Sequence, residues 1–235
     1  MIRAFALAVV GFLVTGCGPH LLELKPAMDR QVKVEQVPLT VGVYYSPEFL
    51  APIEVQQGPP SLGVYYSRES LAPTEVPSAR APIPDAERVI IPVGEASVGI
   101  LGDALSMLFA RVQRVPQSPP LDAEGAGTAG VIEPLVEHLR YQFHGGKPSF
   151  AAFVVYRFVL YAPDGTRLGS WVVTGESERK LQRGVFYLRG LVLVAEAVKA
   201  AMEDAVRKFA LDFHDVPEAR KWLRESGVEP PKVSR

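Results

Sequence analysis

Asparagine is absent from all 235 residues, cysteine occurs once and histidine four times. Without Asn there is no Asn-X-Ser/Thr glycosylation site, and turns are left to Gly, Pro, Asp and Ser. A single Cys excludes an intramolecular disulfide. The four His, at positions 20, 138, 144 and 214, show no H-x-x-x-H spacing, which speaks against a metal centre. No apolar run reaches the roughly 20 residues that a spanning helix needs. Excess charge is lacking too: the formal net charge is -1, and it becomes -2 if Arg3 is lost with an amino-terminal leader. No basic field is available to hold nucleic acid. Catalytic signatures are equally sparse. Ser170 and Ser177 have no G-x-S-x-G around them, His144 to Gly146 (HGG) read as a loop, and Gly125 to Gly127 (GAG) are not followed by the Lys-Ser/Thr of a phosphate loop. The expectation is a protein without enzymatic activity, cofactor or metal. What is present, 48% apolar and 22% charged residues, is the composition of a globular chain.

The one Cys closes the stretch LVTGC, Leu13 to Cys17. Before it lie Arg3 as the only charge and an apolar run from Ala4 to Val14, interrupted by Gly11. That is the layout of a secretory leader, too short to span a bilayer. The residues Val14, Thr15, Gly16 and Cys17 resemble the lipobox of bacterial lipoproteins. The resemblance implies cleavage between Gly16 and Cys17, diacylation of the Cys17 thiol and acylation of the new amino terminus. Three acyl chains exceed the two signals that stable anchoring takes. Gly18, rather than Asp, after the Cys resembles the signal for the outer membrane, on its periplasmic face.

Residues 17–37 carry mixed charge and no sustained period, and read as a lipidated tether. Then the chain repeats itself. Gly42 to Val55 and Gly63 to Val76 are identical at 11 of 14 positions, a tandem duplication of a segment centred on VYYS. Two copies are too few for a solenoid. Each holds one strand-like run, Val41 to Ser46 or Leu62 to Ser67. Tyr44, Tyr45, Tyr65 and Tyr66 are candidates for an exposed partner-binding strip. The plainer alternative points one Tyr of each pair to the core and leaves the spare copy as a Pro-flanked loop.

Downstream, Arg88 to Val93 reads as a strand. Ala96 to Arg111 reads as a helix with Val98, Leu101, Leu105 and Leu108 on one face. Gly99 and Gly102 weaken this helix, which predicts a close packing contact at both. Arg111 to Val115 reads as the next strand. Val131 to Phe143, Ser149 to Tyr161 and Thr166 to Gly175 are long strands, the last two joined by a turn at Pro163, Asp164 and Gly165. Glu133 and Glu137 suit a solvated edge better than paired-carboxylate catalysis. Residues 176–187 read as loop. An amphipathic helix spans about Leu188 to Phe213, with Ala195, Ala201 and Ala205 as small residues on its inner face and a Glu203–Arg207 pair outside. Asp215 with Glu218 resembles a capping box for a short helix that carries Trp222 and Leu223.

The expected fold is α+β: a mixed, largely antiparallel sheet with two main helices packed on one face. The expected organisation is a signal peptide (1–16), a lipidated tether (17–37), the duplicated segment with its Pro-rich connector (38–84), an alpha/beta domain (85–226) and a tail (227–235). The phrases VGVYYSPEF, PVGEASVGILGDALSMLFARVQRV, YRFVLYAPDGTRLGSWVVTG and PEARKWLR resemble uncharacterised proteobacterial lipoproteins. The order of elements behind the lipobox also resembles, more distantly, lipopolysaccharide-assembly lipoproteins, the auxiliary lipoproteins of MCE-type ABC lipid transporters, and TolB amino-terminal-like lipoproteins. That resemblance implies a lipid-anchored adaptor or assembly component with an envelope protein partner. The alternative is a carrier of lipid or another hydrophobic ligand, which calls for an apolar cavity between the sheet and the long helix.

Overall fold

Strand and helix periods in the sequence translate into elements with few surprises in the carboxy-terminal half and several in the amino-terminal half. The computed structural model describes residues 20–28, 33–56, 64–67, 88–121, 127–144, 149–180 and 190–230. In chain order the elements are β1 (His20–Leu21), β2 (Val37–Val43), α1 (Pro47–Leu50), β3 (Ile53–Gln56), β4 (Val64–Ser67), β5 (Arg88–Ile91), α2 (Val93–Leu108), β6 (Phe109–Arg114), β7 (Gly130–His144), β8 (Ser149–Tyr161), β9 (Arg167–Lys180), α3 (Gly190–Asp212) and α4 (Pro217–Glu225). A 3₁₀ turn at Phe213–Asp215 links the last two helices.

The main sheet runs β6-β2-β7-β8-β9. β2 is parallel to both its neighbours, and β7, β8 and β9 are antiparallel. A second, three-stranded sheet has the order β1-β5-β3. α2 and α3 pack against each other and on the same face of the main sheet. The fold is α+β, as the sequence predicts. Its firmest local feature is the β8–β9 turn. Gly165 takes φ +93°, its N–H donates to the Ala162 carbonyl at 3.0 Å, and Asp164 Oδ1 accepts from the Thr166 N–H at 2.8 Å. Only Gly adopts that φ without steric cost, and Asp supplies the side-chain acceptor that closes the turn.

α3 is amphipathic over its whole described length. Val194, Ala197, Val198, Ala201, Met202, Ala205, Val206, Phe209 and Ala210 are all buried, at alternating spacings of 3 and 1. It lies directly on β9. A Cβ added at Gly175 would stand 1.9 Å from the Ala201 carbonyl oxygen, so helix backbone and strand backbone are in contact there. An aromatic cluster fills the space beyond this contact. Phe158 stacks on Phe209 with centroids 4.2 Å apart, Trp171 lies parallel to Phe209, and Phe213 meets both Trp171 and Phe109 edge-on.

Several expectations are overturned. Gly99 and Gly102 do not mark a close contact: a Cβ at either would meet nothing within 4 Å. The tight approach is at Gly94, where a Cβ would sit 1.5 Å from the Phe49 carbonyl oxygen as α1 crosses the start of α2. Residues 176–180 are strand rather than loop, because β9 stays paired with β8 as far as Lys180. β6 begins at Phe109, immediately after α2. α4 has Pro217 in its first turn as predicted, but its cap is Val216 with no side-chain bond, so Asp215 forms no capping box. Outside α3, Arg207 pairs with Asp204 rather than Glu203, and Glu203 faces Lys199.

Both copies of the duplicated segment join the main sheet, so the expectation of a spare loop fails. β2 leads into the first VYYS and pairs in parallel with β7 at Gly130 to Ile132. β4, the second VYYS, pairs antiparallel with the same strand at His138 to Tyr141. Identical tetrapeptides thus meet different ends. In the first copy the strand stops at Val43, and Ser46 caps α1 by accepting from the Phe49 N–H at 3.2 Å. The three positions that differ between copies explain why they are not interchangeable. Pro47, Phe49 and Ile53 of the first are Arg68, Ser70 and Thr74 in the second. Pro47 opens α1, and Phe49 and Ile53 are 2% and 7% exposed. The second copy lacks the apolar anchors that its twin buries.

Two glycine substitutions separate these packing roles. Gly175→Ala should destabilise the protein by on the order of 3 kcal/mol, because backbone rather than a movable side chain blocks the added methyl. Gly99→Ala should stabilise it by up to about 1 kcal/mol through helix propensity alone. Urea unfolding midpoints of the two variants against the parent check both.

Candidate docking surface

The segment expected to be a tether is instead a strap. β1 pairs in parallel with β5, the Leu22 N–H donates to the Ile90 carbonyl at 2.9 Å, and Leu22 and Leu24 are buried. Further on, the Ala27 N–H donates to Glu203 Oε1 at 3.0 Å, which ties the strap to the middle of α3. It is fastened again at residues 35 and 36. Gln36 Nε2 donates to the carbonyls of Ser106 and Phe109, at 3.1 and 3.0 Å, where α2 passes into β6. His214 Nε2 donates to the Glu35 carbonyl at 3.0 Å. A tether reading fails from residue 20 onward because Leu22 and Leu24 carry the apolar side chains that complete the core next to Val89 and Ile91.

His214 is 5% exposed, and its Nδ1 finds no partner among the described residues. Burial lowers its pKa below 6.5, against the opposing pull of the Glu35 carbonyl and of the Glu35 and Asp215 charges. The ring is therefore held neutral, with its one proton on Nε2 facing the strap. Nothing in the sequence marks this residue: a lone His near a helix end has no spacing that betrays a partner 179 residues away.

The tyrosine strip divides. Tyr45 is buried, with its ring stacked on Phe49 at 5.5 Å, its hydroxyl donating to the Val98 carbonyl at 3.3 Å and the Arg114 guanidinium 5.4 Å above the ring. Burial pushes its phenol up to about 12. It is a core residue and no partner-binding group. Tyr44 is half-buried. Tyr65 and Tyr66 are placed by backbone register opposite Arg140 and Leu139, and their side chains lie outside the described residues. Gly16 and Cys17 also lie outside them. Glu133 and Glu137, half-buried, serve structure: Glu133 accepts from the Tyr161 hydroxyl at 3.2 Å, and Glu137 pairs with Arg157.

The free edge of β9 is guarded. Among the described residues β9 pairs only with β8, which leaves an edge strand of 14 residues. Such edges invite pairing with other chains. α3 lies close enough to intervene. Asp204 Oδ2 accepts from the Glu176 N–H at 3.1 Å, and Lys208 Nζ donates to the Thr174 carbonyl at 3.0 Å. Asp204 and Lys208 also bond each other at 2.7 Å, one helical turn apart. Burial opposes ionisation of Asp204, but bonds from Lys208, Arg207 and the Glu176 N–H outweigh it and hold the carboxyl below its usual value. An ion pair thus occupies backbone groups that an incoming strand would use.

The interface between α3 and the sheet offers no room for an acyl chain where it is described, since alanines contact Gly175 on one side and the aromatic cluster closes the other. An open surface pocket of about 320 Å³ lies beside residues 27 and 28, lined by Ala27, Met28, Ala200, Glu203, Asp204 and Arg207. Three of its six lining residues are charged, which suits water and ions better than hydrocarbon.

Acid should loosen this arrangement through His214. Its contribution is whole above about pH 6.5, where the ring is neutral in both folded and unfolded chains, and it falls as pH drops below that, because the unfolded ring protonates first. The loss of urea midpoint between neutral and mildly acid buffer should be smaller in His214→Gln than in the parent. Removing the edge guard with a double Asp204→Ala, Lys208→Ala change should produce concentration-dependent self-association in sedimentation velocity, whereas Arg207→Ala should leave the sedimentation coefficient unchanged.

No protein-family model matches the chain. No curated protein matches it either. Solved structures give partial likenesses. A protein of family DUF330 from Xanthomonas campestris superposes with a TM-score of 0.43 at 13% identity, covering 82% of this chain and 92% of its own. A candidate lipoprotein from Caulobacter crescentus gives 0.36 at 14% identity, over 55% and 83%. A minor lipoprotein from Acinetobacter baumannii gives 0.37 at 10% identity, over 76% and 95%. All three superpositions are loose.

Proposed function

We propose that this chain is a lipid-anchored, non-catalytic envelope protein that serves as an adaptor or assembly component of an envelope transport or biogenesis complex. The anchor is Cys17, acylated behind the Gly16–Cys17 cleavage site, on the periplasmic face of the outer membrane. The observation that carries the adaptor over the carrier is the filled contact between α3 and β9 at Gly175, which leaves no apolar chamber between helix and sheet there. Recognition then falls to surfaces. Val192 and Leu211, 56% and 42% exposed at opposite ends of α3, and Val172 on β9, 47% exposed, are apolar side chains available for such contact.

Crosslinking in living cells, followed by mass spectrometry of the purified protein and its copurified lipid, tests the reading. A reproducible protein partner should appear with the parent chain and be lost with Cys17→Ala, whose mass should lack the acyl chains. Stoichiometric lipid with no protein partner would overturn the adaptor in favour of the carrier.

A further inference from the structure

The strap limits how far the domain can stand from its anchor. Resting on the reading of Cys17 as the acylated residue, three residue steps separate it from His20, the first residue of β1. A chain reaches at most about 3.6 Å per residue, so the start of β1 lies within about 11 Å of the acylated residue, and buried Leu22 within about 18 Å. A lipoprotein with a true tether of 20 residues could wander several times as far. This one cannot, because every fastening from the Leu22 N–H to Gln36 would have to be released first.

We infer that the end of the second sheet at which β1 begins rests on the lipid surface, with Leu21 as its membrane-contacting side chain. Three observations converge on that end. Leu21 is 68% exposed, the most exposed of the large apolar residues described, and it lies four positions from the anchor. Next to it Lys25 Nζ bonds Glu23 Oε1 at 2.5 Å, so these two charges offset each other before an anionic headgroup layer. β1 is an edge strand of its sheet among the described residues, paired with β5 alone, and no described strand lies on its outer side.

Vesicles of phosphatidylethanolamine and phosphatidylglycerol that carry a headgroup nitroxide quencher provide the test. The mature acylated protein has no free thiol, so Leu21→Cys and Val172→Cys each create one labelling site for a fluorophore. Val172 alternates along β9 with Trp171 and Val173, which pack on the core, and so lies on the sheet face away from α3. Quenching at position 21 should be several-fold stronger than at position 172. A flexible Gly/Ser insert of about 20 residues between Gly18 and Pro19, with a root-mean-square reach of about 25 Å, should reduce quenching at 21 several-fold while the protein still floats with the vesicles. Equal quenching at the two positions would overturn the inference; quenching at 21 that the insert leaves unchanged would overturn the short leash as its cause and keep Leu21 at the lipid surface. A protein that carries no acyl chains by mass and fails to float would instead overturn the Cys17 reading itself, and this inference with it.

Discussion

Because Gly175 has no side chain, α3 settles with the Ala201 carbonyl against the backbone of β9, and much of the remaining architecture follows from that seat. A helix held this low brings Asp204 and Lys208 to the free edge of the strand, where they take up the Glu176 N–H and the Thr174 carbonyl. It presents Glu203 to the Ala27 N–H and, two residues past its end, His214 to the Glu35 carbonyl. The same helix therefore covers the core, guards an edge and fastens the strap. One methyl group at residue 175 would disturb all three, which is why the small residues of α3 and the glycine of β9 belong to a single constraint.

If Cys17 carries the proposed anchor, the strap alters what that anchoring means. An anchored domain on a long flexible leader samples a wide volume, and its effective concentration near any one partner falls with the length of the leader. Here the leader is consumed by the fold. Leu22 and Leu24 contribute to the same core as α2 and α3, so the chain from Leu22 onward moves with the domain. Where the strap crosses the helices its backbone finds side-chain partners: the Ala27 N–H takes Glu203 on α3, and the Glu35 carbonyl takes His214 in the turn after it.

The duplication shows how little a short sequence decides alone. VYYS ends a strand and enters a cap in one copy, and forms a strand in the other. Three to seven residues on, Phe49 and Ile53 of the first copy are buried, and the second copy has Ser70 and Thr74 at those positions in the sequence. The second VYYS pairs with the part of β7 that β2 does not reach.

Long periodic segments were legible in advance. Ser149 to Tyr161, the Pro163 to Gly165 turn and the apolar face of α3 follow from side-chain alternation, turn chemistry and helical spacing, all properties of neighbours in the chain. So did the α+β class. What only the tertiary structure decided are the contacts between distant segments: the strap read as tether, Gly94 rather than Gly99 or Gly102 as the close approach, Tyr45 as core, and the guard on β9. Each depends on which backbone arrives opposite a residue, and a one-dimensional pattern carries no record of that. Local free energies are written residue by residue, whereas burial of Leu22 or His214 exists only once strands, helices and strap have closed on one another.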